Sequence, residues 1–374
     1  MNNIKENTTE ATRMPNRNMT VLNRSTNINL RTEQIFGDNG LPIQRFDKMK
    51  YPNLFRFYHD QKNAFWSPDE IDIIVDKRDY ANLRDEEKFI FTSNLKYQIL
   101  LDSVQLRGID LLMSKLQNTQ VEAFCAIWKF FEQIHSISYS FIIQNLYANP
   151  AEIFDNITND TAIMERSFSV VEQYNTFLKK VEKTQNADKK IIFLTLISIY
   201  LLESIRFYVS FACSYSFAQK GVMSGNAKII QLINKDEIIH FHFTRELINI
   251  LRKEESEGFT EIIKELKVQV EALFDETVQD ECKFVKYLFD GRRLDNLSPA
   301  QLKAYVKFLA NRRGEDIGYP DLYPHYKENP LPWINTFTNS GIEQVAPQEM
   351  DIISYNIAGT TNDLETTIFD FDFS

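Results

Sequence analysis

The 374-residue chain carries a net charge of −10, and 43% of its residues are hydrophobic. The acidic balance, without a dense Lys/Arg cluster, argues against nucleic acid or an anionic membrane as a partner. The most apolar run, Ile191 to Leu202, is too short for a membrane span, and the N-terminus lacks the apolar core of a signal peptide. A soluble cytoplasmic protein is therefore expected.

The chain is predicted to be mostly helical, because its 11 glycines and 11 prolines are few turn formers for this length. Residues 1–30 are polar and are predicted to be a disordered arm, and residues 31–345 one helical domain. Gly108 is expected to break or kink a helix that begins at Asp85, and Thr119 to open the next helix with a capping box. Apolar periodicity and capping signals predict helices over 67–75, from 85 onward, and over 119–147, 160–183, 188–219, 226–252, 259–290 and 298–313.

The C-terminal segment differs in composition from the helical region. Residues 351–374 hold five acidic residues and no Lys or Arg, and they end in alternating Phe and Asp. Such a sequence is typical of an extended peptide that docks on a partner. Residues 346–374 are therefore predicted to be a flexible acidic docking tail.

Two copies of a Glu-x-x-His pattern stand about a hundred residues apart, at Glu132/His135 and Glu237/His240. In a helix, positions i and i+3 share a face, so each copy can aim a carboxylate and an imidazole at one point. A single copy is a weak signal, because an exposed polar turn gives the same pattern. Two copies on facing helices would make half of a site for two metal ions.

Two further acidic residues, Asp102 and Glu203, lie within apolar helical patterns. A buried carboxylate is costly unless it is paired or bound to a cation. Four carboxylates and two imidazoles around two cations would balance these charges, as in ferritin-like bundles with di-iron or di-manganese sites. The sequence therefore predicts an all-α, ferritin-like bundle with a buried di-metal site, flanking helices, and iron or manganese as the metal.

Helical spacing extends this site to a tyrosine and several apolar residues. Tyr139 is i+4 from His135, so its ring is expected on the metal-facing side of the helix. Phe207 and Phe211 follow Glu203 at i+4 and i+8, and Ile233 precedes Glu237 at i−4. An aromatic residue at this spacing is more often plain core. Tyr139 beside a metal ligand and among apolar residues is the candidate for a stable tyrosyl radical.

At these residues the chain resembles the small, radical-generating subunit of class I ribonucleotide reductase. The resemblance covers about residues 45–374. The matching stretches are NLKYQILLDS around Asp102, EQIHSISYSFII around Tyr139, LESIRFYVSFACS around Glu203, GNAKII and KDEIIH around Glu237, and PWINTF and VAPQE near the end.

The resemblance implies an activity and an assignment of residues. Asp102, Glu132 and His135 resemble the ligands of one iron, and Glu203, Glu237 and His240 those of the other. The reduced site would react with O₂ and oxidise Tyr139 to a stable radical, which passes to a separate large subunit where ribonucleotides are reduced.

The same resemblance implies a radical-transfer path of Trp66, Asp236 and Tyr355, docking of the C-terminal tail on the large subunit, and a homodimer. For each of these residues an interpretation without a role in radical transfer stays open. Trp66 could be a buried anchor for the 67–75 helix, Asp236 a partner of a nearby His or Lys, and Tyr355 an ordinary aromatic residue of the tail. At the level of function, the alternatives are a di-manganese form of the same subunit, a ferritin-like iron-storage protein and a stand-alone di-iron oxidase.

Overall fold

The computed structural model describes residue 23 and residues 33–38, 40–184 and 188–338. The predicted arm over 1–30, apart from Asn23, and the predicted tail over 346–374 with Tyr355 lie outside the described residues. Within the described residues every regular element is a helix, and β pairing is limited to two isolated bridges. The predicted all-α fold is confirmed.

Thirteen α-helices run through the described part of the chain, and several are long enough to cross the whole bundle. Their bounds are α1 Pro52–Asn63, α2 Ile74–Asn82, α3 Asp85–Met113, α4 Thr119–Leu146, α5 Pro150–Asp155, α6 Thr161–Thr184, α7 Lys189–Leu201, α8 Tyr208–Gln219, α9 Ser224–Lys253, α10 Thr260–Glu265, α11 Lys267–Phe289, α12 Pro299–Asp316 and α13 Asn335–Thr338.

The centre of the molecule is built from α3, α4, α7–α8 and α9. Helix α3 packs against α4 and α8, and α9 packs against α4, α7 and α8. Helices α1, α6, α11 and α12 pack around this group. Each of the four central segments presents a long row of buried residues to the others, as burial of an amphipathic or wholly apolar helix requires. Acidic residues on these rows must therefore meet inside the bundle.

The helix predicted over 188–219 is interrupted in its middle by a π-helical turn. Helix α7 ends at Leu201, residues Leu202–Arg206 form the π turn, and α8 begins at Tyr208. By length and hydropathy Lys189–Gln219 would suffice to cross a membrane, but 94% of its most apolar window is buried in the chain. The segment is thus the core helix of the bundle, and its wider turn carries Glu203. Such turns occur frequently at functional sites.

The expectation that Gly108 breaks its helix is wrong. Helix α3 runs unbroken from Asp85 to Met113, and Gly108 is buried within it. A Cβ atom at this position would lie 2.5 Å from the ring of Tyr174 on α6. Glycine is present here because the two helices approach each other too closely for a side chain. From the sequence alone, such a glycine cannot be distinguished from one that ends a helix.

Gly108→Ala is expected to lower the free energy of unfolding by about 1–3 kcal/mol, because the new methyl group overpacks the contact between α3 and α6. On an uncrowded helix the same change stabilises by about 1 kcal/mol. Urea denaturation measures the difference. In a Tyr174→Leu background the penalty should shrink, and an equal penalty in both backgrounds would refute the crowding explanation.

Two predicted helix starts are also corrected. Helix α4 is capped by Asn118, whose side chain accepts hydrogen bonds from the backbone N–H groups of Gln120 and Val121, so Thr119 is the first helical residue and not the cap. The helix expected over 67–75 is only a single 3₁₀ turn, Pro68–Glu70, and the next helix begins at Ile74. In each case the sequence pattern placed the helix start one to several residues away from its observed position.

Candidate metal centre

The six predicted metal ligands converge in the middle of the bundle, and all are completely buried. They form two overlapping groups whose ligand atoms lie within 4.8 Å of one another. The first group is Asp102, Glu132, His135 and Glu237, and the second is Glu132, Glu203, Glu237 and His240. Glu132 and Glu237 belong to both groups, which is where ligands shared by two cations are expected.

Each histidine faces the carboxylates of the opposite helix as well as its own. Nδ1 of His135 on α4 lies 3.3 Å from Oε1 of Glu237 on α9. Nδ1 of His240 on α9 lies 3.4 Å from Oε1 of Glu132 on α4 and 3.6 Å from Oε2 of Glu203. The two Glu-x-x-His copies therefore interlock, as their common face predicts.

The electrostatics of the group favour a cation. Burial raises the pKa of the Asp102, Glu132, Glu203 and Glu237 carboxyls well above their usual range, and each carboxylate raises that of its neighbours. Protons bound by such carboxyls are displaced when a divalent ion neutralises the cluster, so metal binding here releases protons.

The histidines behave differently from each other. Burial opposes protonation of His135, but its hydrogen bond to Asp236 and the surrounding carboxylates raise its pKa to about 9. Burial, reinforced by His135, lowers the pKa of His240 well below its usual value. A metal ion would take the place of the proton on Nδ1 of His135.

Buried ligand atoms without a hydrogen-bond partner show that the residues fit a metal. Such orphaned atoms are costly in a protein interior unless a cation satisfies them. They are both oxygens of Asp102, Oε2 of Glu132, Nδ1 of His135, Oε2 of Glu203 and Oε1 of Glu237. Carboxylate and imidazole donors in this number suit iron or manganese.

Three residues that the sequence analysis missed orient these ligands. Nε1 of Trp128 donates to Oε1 of Glu132 at 2.9 Å, and its ring stacks on His240 at 5.1 Å between centroids. The Gln105 amide donates to Glu203 and accepts a 2.9 Å hydrogen bond from Tyr174. The signal was available for two of them, since Trp128 is i−4 from Glu132 and Gln105 is i+3 from Asp102.

Tyr139 lies on α4 one turn after His135 and is completely buried. Its hydroxyl is close to Asp102 but makes no hydrogen bond of good geometry, and burial followed by the Asp102 charge raises the pKa of the phenol well above its usual value. Phe207, Phe211 and Ile233 are also buried, and the two Phe rings stack at 5.7 Å.

Trp66, Asp236 and His135 form a continuous hydrogen-bonded row. Nε1 of Trp66 donates to Oδ2 of Asp236 at 2.8 Å, and the same oxygen lies 3.0 Å from Nε2 of His135. Oδ1 of Asp236 accepts from Gln61 at 2.8 Å. An acceptor at Nε2 leaves Nδ1 of His135 directed at the carboxylates, which is the usual arrangement behind a metal-binding histidine. Asp236 thus contacts a nearby histidine, as the interpretation without radical transfer expects, and it also accepts a hydrogen bond from Trp66.

The chain is similar to proteins of a known family. A family model described as the ribonucleotide reductase small chain matches residues 44–330. The chain belongs to the ribonucleotide reductase small-chain family. The match contains all six predicted metal ligands, Tyr139, Trp66 and Asp236. The predicted family is therefore confirmed, and the chain is a subunit of the reductase enzyme.

Individual relatives agree along nearly their whole length. The ribonucleoside-diphosphate reductase subunit beta of Haemophilus influenzae is 36% identical over 95% of this chain and 99% of its own. That of Enterobacteria phage T4 is 32% identical over 91% and 96%. Among solved structures, the ribonucleotide reductase R2 subunit from Clostridium botulinum superimposes with a TM-score of 0.75 at 27% identity, covering 82% of this chain and 94% of its own. The small subunit with a ferritin-like fold and a buried metal site is thus established.

Proposed function

We propose that this small subunit holds two iron ions per chain and carries a stable radical on Tyr139. When bound, iron supplies the reaction with O₂ from which the oxidising equivalent comes. The observation that carries the proposal is the position of Tyr139, completely buried, one helical turn from His135 and with its hydroxyl close to the Asp102 carboxylate. A phenol so placed loses one electron and one proton to become a neutral radical.

The surroundings of Tyr139 support a long radical lifetime. Phe207, Phe211 and Ile233 are buried apolar residues on the helices that carry Glu203 and Glu237, and we propose that they line the radical pocket. Apolar walls exclude water and small reductants, which would quench the radical. Asp102 is the charge that acts most strongly on the phenol.

The row from His135 through Asp236 to Trp66 supports transfer of the radical out of the bundle. The two distances at Oδ2 of Asp236, 2.8 and 3.0 Å, keep the three side chains in direct contact. We propose that Trp66 and Asp236 pass the radical towards Tyr355 in the C-terminal tail, and that the tail docks on the large subunit, where ribonucleotides are reduced. A homodimer located in the cytoplasm is proposed, with neither nucleic acid nor membrane as a partner.

Anaerobic addition of iron(II), followed by O₂, tests the proposed function. We expect two irons per chain and a tyrosyl radical signal in electron paramagnetic resonance (EPR). Manganese accepts the same ligands, so protein isolated from its own host should be analysed for both metals. Hundreds of irons per assembly would indicate storage, and turnover of an organic substrate without a large subunit would indicate a stand-alone oxidase.

Deletion of residues 355–374 is expected to abolish ribonucleotide reduction and to leave metal content and radical yield unchanged. The tail is proposed to dock on the large subunit, whereas all six ligands lie between Asp102 and His240. Turnover assays with the large subunit and EPR of the truncated chain separate the two effects. Full turnover by the truncated chain would eliminate the docking role.

A further inference from the structure

The π turn Leu202–Arg206 carries two functionally different side chains. Glu203 points to the metal centre, where it joins the group of Glu132, Glu237 and His240. Arg206, three residues later, contacts residues of α6 and α11. In an α-helix residues three apart share a face, and the wider turn separates them. The position of Glu203 therefore depends on how this turn is held.

Two arginines, Arg166 on α6 and Arg206, hold the π turn by reciprocal bonds and are called here the arginine pair. Arg166 donates to the backbone carbonyl of Arg206 at 2.9 Å. Arg206 donates to the backbone carbonyl of Arg166, also at 2.9 Å. Arg206 further donates to the Ser169 hydroxyl at 2.6 Å. Each guanidinium thus fixes the backbone that carries the other.

Acidic residues of α11 anchor the arginine pair. Arg166 binds both carboxylate oxygens of Glu281, with Nε 2.7 Å from Oε1. Arg206 lies 3.2 Å from Oδ2 of Asp280. The Arg166 guanidinium also lies between the rings of Tyr97 and Phe284, at 3.2 and 3.8 Å from their centroids. The arginine pair therefore makes contacts with α3, α6 and α11.

The cost of this arrangement indicates a geometric role. The side chains of Arg166, Glu281 and Arg206 are at most 2% exposed. Desolvation of a buried ion pair offsets much of its attraction, and apolar residues of similar volume often give equal or greater stability. Guanidinium groups, unlike apolar side chains, can make a fixed set of directional hydrogen bonds to backbone carbonyls.

We propose that the arginine pair fixes the conformation of the π turn and thereby directs Glu203 towards one of the two metal positions. This second metal position is the one formed by Glu132, Glu203, Glu237 and His240. The inference rests on the proposed metal function. Neither arginine is among the metal-ligand groups, so both act through the backbone of the turn. The position formed by Asp102 and His135 lies on other helices and is not expected to depend on the pair.

Anaerobic titration of the metal-free, full-length chain with manganese(II) tests this inference. Arg166→Lys keeps a positive charge near Glu281 but cannot bind both that carboxylate and the Arg206 carbonyl in the same way. We expect the second manganese(II) to bind about 10- to 100-fold more weakly, the range typical when a group that supports a metal ligand is changed. Binding of the first ion should be unchanged. EPR should show isolated manganese(II) where the unaltered chain shows a coupled pair.

Arg292→Lys is the matched control. Arg292, after α11, also donates to backbone carbonyls, those of Tyr287 and Asp290, and lies over the ring of Phe89, and the structure shows no hydrogen bond from its side chain to the π turn. If Arg166→Lys fails to fold, Ser169→Ala, which removes one bond to Arg206, should show a smaller loss at the same position.

The outcomes are distinct. Equal binding of both ions in the Arg166 or Ser169 variant and the unaltered chain would overturn the inference, as would an equal loss in the Arg292 control. An unaltered chain that binds no metal would overturn the proposed function itself.

Discussion

Tyr139→Phe is expected to abolish the radical and ribonucleotide reduction while leaving two metal ions bound. The change removes only the hydroxyl, which makes no hydrogen bond of good geometry, and it keeps the buried ring, so the packing of the core is retained. Phenylalanine cannot lose an electron and a proton to give a neutral oxygen-centred radical. Metal analysis, EPR and turnover with the large subunit measure the three properties separately.

The control for this variant is Tyr319→Phe, which removes a second buried phenol, located after α12, whose hydroxyl also makes no hydrogen bond of good geometry. The control should keep both the radical and turnover. Full activity of the Tyr139 variant would contradict the assignment of the radical to this residue.

Trp66→Phe is expected to have an equally large effect on turnover with the opposite effect on the radical. The variant keeps a buried aromatic ring but loses the Nε1–H that donates to Asp236 at 2.8 Å. Because all six proposed ligands are untouched, two metals should bind and Tyr139 should still be oxidised. Reduction of ribonucleotides should fall to the assay background, because the proposed transfer path through Trp66 is interrupted.

Trp333→Phe provides the comparison for this second variant. Trp333 lies in the 3₁₀ turn Pro332–Ile334 near the end of the described chain and packs on the ring of Phe337, and the described structure shows no hydrogen bond between it and Asp236. Its replacement should leave turnover intact. Normal turnover by the Trp66 variant would remove Trp66 from the transfer path.

The sequence was sufficient to predict that the acidic and histidine residues of the central helices converge, because helical spacing is a strong constraint. Glu132 and His135 lie three apart on a continuous helix, and Glu237 and His240 repeat the spacing, so their convergence needs only that α4 and α9 face each other. The overlap of the two ligand groups at Glu132 and Glu237 depends on side-chain directions and was not predictable from spacing.

Three other features depended on tertiary contacts that no local pattern contains. Gly108 was interpreted as a break, since a close approach by Tyr174 on a helix far along the chain leaves no local trace. The π turn at Leu202–Arg206 lies in a stretch without Gly or Pro, so its sequence is that of an ordinary helix. The arginine pair was missed because Arg166 and Arg206 are forty residues apart and meet only when α6 packs beside the turn.

EPR on protein made with ring-deuterated tyrosine tests most directly whether a metal centre in this bundle oxidises Tyr139. The metal-free, labelled chain is loaded with iron(II) and exposed to O₂. We expect a radical whose hyperfine splitting from ring protons collapses on labelling, and no radical in labelled Tyr139→Phe. A radical whose spectrum is unchanged by the label, or one that persists in the variant, would rule out Tyr139 as the residue that is oxidised.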